Sequence, residues 1–276
     1  MRRIRVIVAI ALVSVTVACG AGALESQPVA APTTTTSSVP PTTTTPPTAL
    51  PGPNGTTVPV FQPAYAYGTP QASAPPAVDG LAPIVRRIET DKPYVFITID
   101  DGAVRHPAAL ELIRLSGVRP TLFLNTKHVE GDVPYFRAFQ DRAGARVHGH
   151  TTDHPNLQGQ GYAFQHREIC ENTDYIGAQM GKRPTLFRPP FGNYDQTTRK
   201  AAADCGIAAL VLWTAAVNDG VVQFQAGGKL NPGDIVLMHF RQTFVEDWLA
   251  FLNRAKQDGL TPVLLDDFLS PTAPPA

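Results

Sequence analysis

The sequence predicts an α/β fold in which parallel strands alternate with helices, as a barrel or as a doubly wound sheet. Two observations lead to this prediction. Between residues 94 and 265, runs of β-branched and aromatic residues alternate with segments whose apolar residues recur at helical spacing. The alternation provides about seven strands, which suits one domain. In both architectures, functional groups gather at the C-terminal ends of the strands.

The individual elements follow from local composition. The first strand, Tyr-Val-Phe-Ile-Thr-Ile, stops at Asp100-Asp101-Gly102, as a buried strand that ends in a loop does, and the first helix ends before Gly117. The predicted strands are residues 94–99, 121–124, 146–148, 186–188, 208–213, 235–238 and 262–265. The predicted helices are residues 107–115, 134–142, 164–180, 195–203 and 244–257.

Charge is distributed unevenly along the 276 residues. The 23 basic and 23 acidic side chains balance, so a strongly basic nucleic-acid surface is not expected. The 52 residues from 27 to 78 carry no charge, whereas residues 79–276 hold 20 basic and 22 acidic side chains. We therefore expect one folded domain at 79–276, beginning between Asp79 and Ile88. A monomer is expected.

The N-terminus has the pattern of an export signal. Three arginines within residues 1–5 precede an apolar run at 6–18, which is shorter than the roughly 20 residues that span a bilayer. Residues 1–18 are therefore a predicted signal peptide. Residues 16–20, Thr-Val-Ala-Cys-Gly, resemble a bacterial lipobox, which makes Cys19 the predicted lipidation site and anchors the protein to the outer face of the membrane. Simple cleavage nearby, giving a secreted protein, is the alternative.

The segment after the signal is rich in threonine and proline. Residues 28–53 contain nine Thr and eight Pro, too few apolar groups to offset the entropy of ordering. We therefore expect residues 19–78 to form a disordered linker, which could act as a stalk between membrane and cell wall.

Two adjacent carboxylates follow the first predicted strand. Asp100 and Asp101 would repel each other and lose hydration there unless a positive group lies nearby. The alternative is that Asp101-Gly102 is only a turn. Arg188 ends another predicted strand and enters a stiff Pro-Pro loop, so it is a natural partner for a buried carboxylate.

Two histidines stand at a spacing that suits a metal. His150 and His154 would lie on one face of a helical turn, or in a chelating loop, within reach of one ion. Surface histidines without a role are the alternative. His148 is not expected to be a ligand, because an extended segment directs it elsewhere. His239 follows an apolar strand, where a lone histidine commonly has a structural role.

In chain order, four motifs resemble the NodB homology domain, the polysaccharide deacetylases of carbohydrate esterase family 4. They are Thr98-Ile-Asp-Asp-Gly102, His150-Thr-Thr-Asp-His154-Pro-Asn-Leu157, Arg188-Pro-Pro-Phe-Gly192 and Leu237-Met-His239. The resemblance covers residues 94–269. It implies a distorted (β/α) barrel of about seven parallel strands.

The resemblance also implies roles for particular residues. Asp101, His150 and His154 would bind a divalent metal, most often zinc. Asp100 would be the catalytic base, paired with Arg188, and His239 the general acid. Leu237 would line the pocket for the acetyl methyl group, and Phe191, where the family usually has Tyr, would direct its backbone N–H at the oxyanion.

One motif of the family is altered. The chain has Trp213-Thr-Ala-Ala216-Val-Asn-Asp219-Gly220, in which Trp213 matches a wall of the substrate groove and Asp219 matches a catalytic acid. Ala216 replaces another acid and Gly220 an aromatic residue. The tuning of the acid histidine and one wall of the groove are therefore expected to differ, which favours altered specificity over loss of activity.

The expected function is metal-dependent deacetylation of an N-acetylated glycan, with release of acetate. Peptidoglycan N-acetylglucosamine comes first as the substrate and chitooligosaccharide second. The alternatives are O-acetyl ester cleavage on a polysaccharide, and a glycan-binding lipoprotein that has lost turnover.

Two cysteines remain in the exported domain. Cys170 and Cys205 form an even pair in an oxidising compartment, which predicts a disulfide. Two buried free thiols are the alternative.

Overall fold

The structure is a computed structural model, and it describes residues 47–271. The predicted signal peptide, Cys19 and the linker residues before 47 lie outside this range. Within residues 47–271, none of the helices has the length and apolar character needed to cross a bilayer.

The described chain contains twelve strands and six α-helices. The strands are β1 Ala49–Pro51, β2 Thr57–Pro59, β3 Ile84–Val85, β4 Tyr94–Asp101, β5 Thr121–Leu124, β6 Arg146–Gly149, β7 Leu186–Phe187, β8 Ala209–Val211, β9 Ala215–Asn218, β10 Val221–Phe224, β11 Ile235–His239 and β12 Thr261–Pro262. The helices are α1 Ala109–Ser116, α2 Thr126–Val129, α3 Val133–Ala143, α4 Tyr162–Met180, α5 Gln196–Asp204 and α6 Phe244–Gln257.

Ten of these strands form one curled sheet. Its order is β10-β9-β11-β4-β5-β6-β7-β8-β3, and β12 pairs with the start of β4. All pairs in it are parallel except the β9–β10 hairpin. The terminal strands β10 and β3 do not pair, so the sheet is an open, distorted barrel, which confirms the predicted fold class. The seven predicted strands are present, and β3, β9 and β10 add to them.

The register of the central strands brings their C-terminal ends level with one another. His239 of β11 lies opposite Asp100 of β4, and Asp101 lies opposite Leu124 of β5. Leu124 in turn lies opposite Gly149 of β6, which pairs with Phe187 of β7. Since His150 and Arg188 directly follow β6 and β7, these five polar side chains lie side by side at one edge of the sheet.

The helices cover the sheet with a core rich in aromatic residues. The Phe240 ring packs edge-to-face on Phe136 and Phe139, with centroids 5.8 and 5.5 Å away, and stacks on Phe244 at 5.6 Å. All four rings are buried. Burying a large apolar side chain contributes on the order of 1.5–3 kcal/mol, so this cluster fixes the chain directly after β11.

The ordered domain begins earlier than the sequence predicts. Residues 47–78, placed in the disordered linker by composition, are packed on the domain. Strands β1 and β2 pair antiparallel, Val58 is fully buried, and the Phe61 N–H donates to the Ser116 carbonyl at the end of α1. The Tyr65 ring packs edge-to-face on Phe268 with centroids 6.1 Å apart. Scattered apolar side chains anchor this segment despite its proline content.

A disulfide joins two neighbouring helices. Cys170 lies in α4 and Cys205 caps the C-terminus of α5, and their Cα atoms are 5.2 Å apart. This is the pairing that the cysteine count predicts.

Candidate active site

A cavity of about 340 Å³ opens where the central strands end. Its lining combines acidic, imidazole, aromatic and cationic side chains: Asp100, Asp101, His150, His154, Pro189, Phe191, Trp213, Leu237, His239 and Arg241. Eight of the ten side chains predicted from sequence to form the site therefore lie on this one surface. A ninth, Arg188, is fully buried directly behind it.

Three of these residues bring their ligand atoms together. Asp101 Oδ1 lies 3.4 Å from His150 Nε2 and 3.5 Å from His154 Nε2. Asp101 and His154 adopt left-handed backbone conformations, with φ of 73° and 61°, as does Thr151 with φ of 71°. Such conformations are costly for residues other than glycine and cluster at functional sites. Here they turn the two loops inward, so that the side chains converge.

The His150 ring is oriented by its neighbours. Nδ1 lies 2.6 Å from the Arg188 carbonyl oxygen, and because a carbonyl can only accept, Nδ1 carries the proton and donates it. Nε2 is then left facing Asp101. The buried Asn172 side chain of α4 holds the same strand end, because its Oδ1 accepts from the His150 N–H and its Nδ2 donates to the Leu124 carbonyl.

The charges of the triad are coupled. Burial raises the pKa of Asp101, but the imidazoles of His150, His239 and His154 outweigh burial and hold this pKa well below its ordinary value. Burial lowers the pKa of His150, but Asp100 and Asp101 outweigh burial and raise it.

These residues fit a divalent metal. Asp101 Oδ1 is buried and accepts no hydrogen bond within the described chain, so it has an unused lone pair directed at two imidazole nitrogens. One carboxylate and two imidazoles, with ligand atoms all within 4.8 Å of one another, are a donor set that zinc accepts with positions left open. A metal is expected here on the chemistry of the donors.

Asp100 is held from behind by Arg188. Arg188 Nη1 lies 2.7 Å from Asp100 Oδ1 and donates also to the Thr98 hydroxyl, while Nε and Nη2 donate to the carbonyls of Val211 and Leu212. The guanidinium carbon of Arg188 lies over the Phe123 ring, 4.4 Å from its centroid. A buried charge with this many partners is fixed in direction, so it leaves Asp100 Oδ2 on the cavity side.

His239 faces the same space without a partner of its own. Its Nδ1 is buried and has no hydrogen-bond acceptor among the residues that the structure describes. Burial lowers the pKa of His239, Arg241 adds to the lowering, and Asp100 and Asp101 oppose it without reversing it. Ala216, where the resemblance implies an acid, lies opposite Leu237 in the pairing of β9 with β11.

Apolar side chains form the walls. Phe191 is 62% exposed, its ring lies 4.7 Å from that of His154, and its backbone is left-handed with φ of 61°. Leu237 is buried beneath, and Trp213 closes the side. Only glycine fits at position 192, because a Cβ there would stand 2.9 Å from the Trp213 ring.

Asp219 does not belong to the site. It lies exposed in the two-residue turn of the β9–β10 hairpin, with φ of 51°, followed by Gly220 with φ of 74°. Two successive left-handed residues are what this type of tight hairpin requires, and Asp-Gly supplies them. The predicted catalytic role of Asp219 is therefore wrong, because the residue is the tip of a hairpin.

His148 is structural, as expected. Its Nε2 lies 2.8 Å from Asp266 Oδ1, and its Nδ1 accepts from the backbone of Thr185 and Leu186. Two residues of the site region were missed from the sequence. Arg241 stands only two positions after His239, a visible signal, whereas nothing in the helical pattern of α4 distinguishes Asn172.

Comparison with known proteins relates this chain to polysaccharide deacetylases. The sequence model of a family described as polysaccharide deacetylase matches residues 87–210. An uncharacterised protein of Streptomyces coelicolor is 45% identical over 175 residues, which cover 60% of this chain and 69% of that protein. Peptidoglycan-N-acetylglucosamine deacetylase PgdA of Listeria monocytogenes is 26% identical over 195 residues, covering 67% of this chain and 40% of that enzyme.

A solved structure agrees with these matches. A family 4 carbohydrate esterase from Streptomyces lividans, in complex with acetate, superposes with a TM-score of 0.56 at 27% identity. The match covers 63% of this chain and 94% of that one. This chain therefore has a fold similar to that of a carbohydrate esterase whose structure contains acetate.

Proposed function

The chain belongs to the polysaccharide deacetylases of carbohydrate esterase family 4, and we propose that it removes N-acetyl groups from a cell-envelope glycan with the help of a divalent metal. As a member of this family it is a hydrolase that acts on amide bonds. One observation carries the proposal. Asp101 Oδ1 has no hydrogen-bond partner among the described residues and lies between two imidazoles. The neighbouring Asp100 is held by Arg188 at the same cavity.

The chemistry assigns a task to each side chain. A divalent metal held by Asp101, His150 and His154, with zinc as the first choice, would polarise the amide and make water more acidic. Asp100 takes the proton of the attacking water, and His239 gives a proton to the departing amine. The Phe191 N–H donates to the oxyanion. Leu237 packs on the acetyl methyl group and Trp213 on the sugar.

Peptidoglycan N-acetylglucosamine is the proposed substrate, and chitooligosaccharide the second. The name of the Listeria relative and of two Bacillus cereus relatives specifies peptidoglycan N-acetylglucosamine. The predicted signal peptide and lipidation at Cys19 would put the enzyme, as a monomer, on the outer face of the membrane, or secretion would release it. Turnover is favoured over binding without catalysis, because Arg188 holds Asp100 beside the cavity that Asp101, His150 and His154 also line.

The metal assignment is tested with two histidine variants. Purified protein should release acetate from an N-acetylated chitooligosaccharide, and a chelator should stop the release. His150→Ala and His154→Ala should each lose bound metal, measured by elemental analysis, and at least about 100-fold in rate, because each removes a first ligand. His166→Ala, a histidine on α4 that does not line the cavity, is the control. Stoichiometric metal in either ligand variant would contradict the assignment.

Asp100→Asn separates the base from the ligands. The amide cannot take a proton from water, so turnover should fall at least about 100-fold while bound metal stays near the wild-type amount. The variant also leaves the buried Arg188 without its carboxylate, so a lower melting temperature is expected. If metal were lost together with activity, Asp100 would be a ligand and the roles of the two aspartates would be exchanged.

A further inference from the structure

The disulfide between α4 and α5 has a histidine beside it that the proposed chemistry does not use. His166 and Cys170 are four residues apart on α4, so their side chains lie on the same face of the helix. His166 Nε2 lies 3.4 Å from Cys170 Sγ. Cys205 joins them from the C-terminal end of α5. One imidazole nitrogen and two sulfurs therefore meet, with all three atoms within 4.8 Å of one another.

The spacing of these atoms suits a metal ion that takes sulfur and nitrogen ligands. Zinc bonds to thiolate sulfur at about 2.3 Å and to imidazole nitrogen at about 2.0–2.1 Å, so on a tetrahedral ion the two atoms stand about 3.5 Å apart. The 3.4 Å between His166 Nε2 and Cys170 Sγ is close to this separation. The Cα atoms of Cys170 and Cys205 are 5.2 Å apart, which leaves both sulfurs within reach of one ion.

Contacts other than the disulfide hold the two helices together around the histidine. The His166 ring packs against the Tyr162 ring, with centroids 5.4 Å apart, and Tyr162 Oη donates to Asp204 Oδ2 at 2.6 Å. Thr198 of α5 donates from its buried hydroxyl to Gln165 Oε1 of α4 at 2.6 Å. Because these contacts do not involve the sulfurs, they keep the histidine and both cysteines close together when the bond between the sulfurs opens.

We propose that the reduced protein binds zinc through Cys170, Cys205 and His166, so that a disulfide and a metal ion are alternative links between α4 and α5. A dithiol reductant opens the disulfide. Its thiolate attacks Cys170 Sγ, which is half-buried whereas Cys205 is buried, and Cys205 leaves as a thiolate. The second thiol of the reductant then releases Cys170, so the reductant ends as a disulfide and the protein as a dithiol.

Zinc binding follows from this dithiol. Two thiol protons are released, and two thiolates and the neutral His166 Nε2 supply three ligands. In an oxidising compartment the disulfide persists, and its sulfurs carry no thiolate charge for a metal. His166→Ala therefore remains a control for the catalytic metal in oxidised protein.

Cobalt(II) distinguishes this site from the catalytic one, because only thiolate ligands give an intense sulfur-to-cobalt charge-transfer band in the near ultraviolet. Full-length protein is reduced with dithiothreitol, freed of it under nitrogen and titrated with cobalt(II). We expect the band to rise to one equivalent of metal per site in reduced protein, to be absent from oxidised protein, and to disappear when zinc displaces the cobalt. Acetate release is not measured, so the outcome does not depend on the proposed deacetylase function.

Three variants locate the ligands. The double variant Cys170→Ser, Cys205→Ser should give no band. His166→Ala keeps both thiols, so it should give a band but bind cobalt at least about tenfold more weakly, because one ligand is lost. His106→Ala is the matched control: it removes a half-buried histidine from the loop before α1, and it should bind cobalt like the wild type.

Thermal unfolding provides a second readout. Zinc should raise the melting temperature of reduced wild-type protein by more than that of the double serine variant, in which only the catalytic metal contributes. Reduced wild-type protein without the charge-transfer band would overturn the proposal. Equal cobalt affinity in wild type and His166→Ala would also overturn it, because the two thiols would then bind without the histidine. An equal zinc response of wild type and the double serine variant would contradict the metal link between α4 and α5.

Discussion

At the scale of single residues, Arg188 shows why the site needs a guanidinium. Its five N–H donors in one plane reach Thr98, Asp100 and two backbone carbonyls at once, and two aromatic rings flank it. A lysine would bring one ammonium and could not serve strands β4 and β8 together. The direction of the Asp100 carboxylate is therefore fixed by groups at the strand ends.

The lowered pKa of His239 has a consequence for the pH dependence of the reaction. Burial takes this pKa below its ordinary value of 6.5, and Arg241 acts in the same direction. A general acid works only while protonated, so kcat/KM should fall as the pH rises through the lowered pKa, starting below pH 6.5. Arg241→Gln removes a positive charge, so it should raise the pKa and move the decline to higher pH.

A pH profile of kcat/KM on a neutral chitooligosaccharide measures this shift. Lys127→Gln is the control, because Lys127 is an exposed cation outside the cavity lining whose Nζ donates to the Asp153 carbonyl. A decline that stays in place or moves to lower pH in Arg241→Gln would show that His239 is not the group whose protonation limits the rate.

The sequence alone was sufficient to predict site residues that stand at the ends of strands. Asp100 and Asp101 end β4, and His150 and Arg188 come directly after β6 and β7, so their type and position indicated their role. Asp219 was misplaced because a short motif match says nothing about hairpin geometry; Asp-Gly between two short apolar runs is itself the signal of such a turn. Asn172 was missed because its role depends on how α4 packs against β6, which is a tertiary contact.

At the scale of elements, the longest patterns were the most reliable. The predicted helix 244–257 coincides with α6, and the first predicted strand with most of β4, because each has an unbroken apolar pattern. Strand β3 has only two residues, β9 alternates buried with half-buried residues, and β10 has no buried residue, so none of them forms the continuous apolar run by which the other strands were predicted. Strand β9 nevertheless carries Asn218, whose Oδ1 accepts a hydrogen bond from Arg241 Nη1 and thereby positions Arg241.

The disulfide between α4 and α5 should contribute to stability. Replacing Cys170 and Cys205 by Ser removes a cross-link between residues 35 apart in sequence. On the chain-entropy account the free energy of unfolding should fall by about 3–4 kcal/mol, measured by urea denaturation. Acetate release at 25 °C should persist, because neither cysteine lines the cavity.

The same loss should appear in wild-type protein unfolded in the presence of a reductant, and the double variant should not respond to the reductant. Wild-type protein that kept its full stability under reducing conditions would contradict the contribution of this bond.

At the scale of the whole molecule, the boundary of the folded unit is the point on which composition and structure disagree. Proline content and lack of charge suggested a linker up to residue 78. Folding depends instead on whether a few side chains find a complementary surface, and Val58, Phe61 and Tyr65 do so on α1, α6 and the C-terminal segment. The segment that contains Val58, Phe61 and Tyr65 thus acts as part of the domain.

The difference can be measured by comparing proteins that begin at residue 47 and at residue 79. The shorter one loses the buried Val58, the Phe61 backbone hydrogen bond and the Tyr65 contact with Phe268, so its free energy of unfolding should be lower by at least about 2 kcal/mol. Val58→Ala in the longer protein should reproduce part of the loss, and Thr57→Ala, an exposed neighbour, should not. Equal stability of the two proteins would mean that residues 47–78 are a linker. The expected loss would show that this segment stabilises the domain by covering apolar residues of α1 and α6.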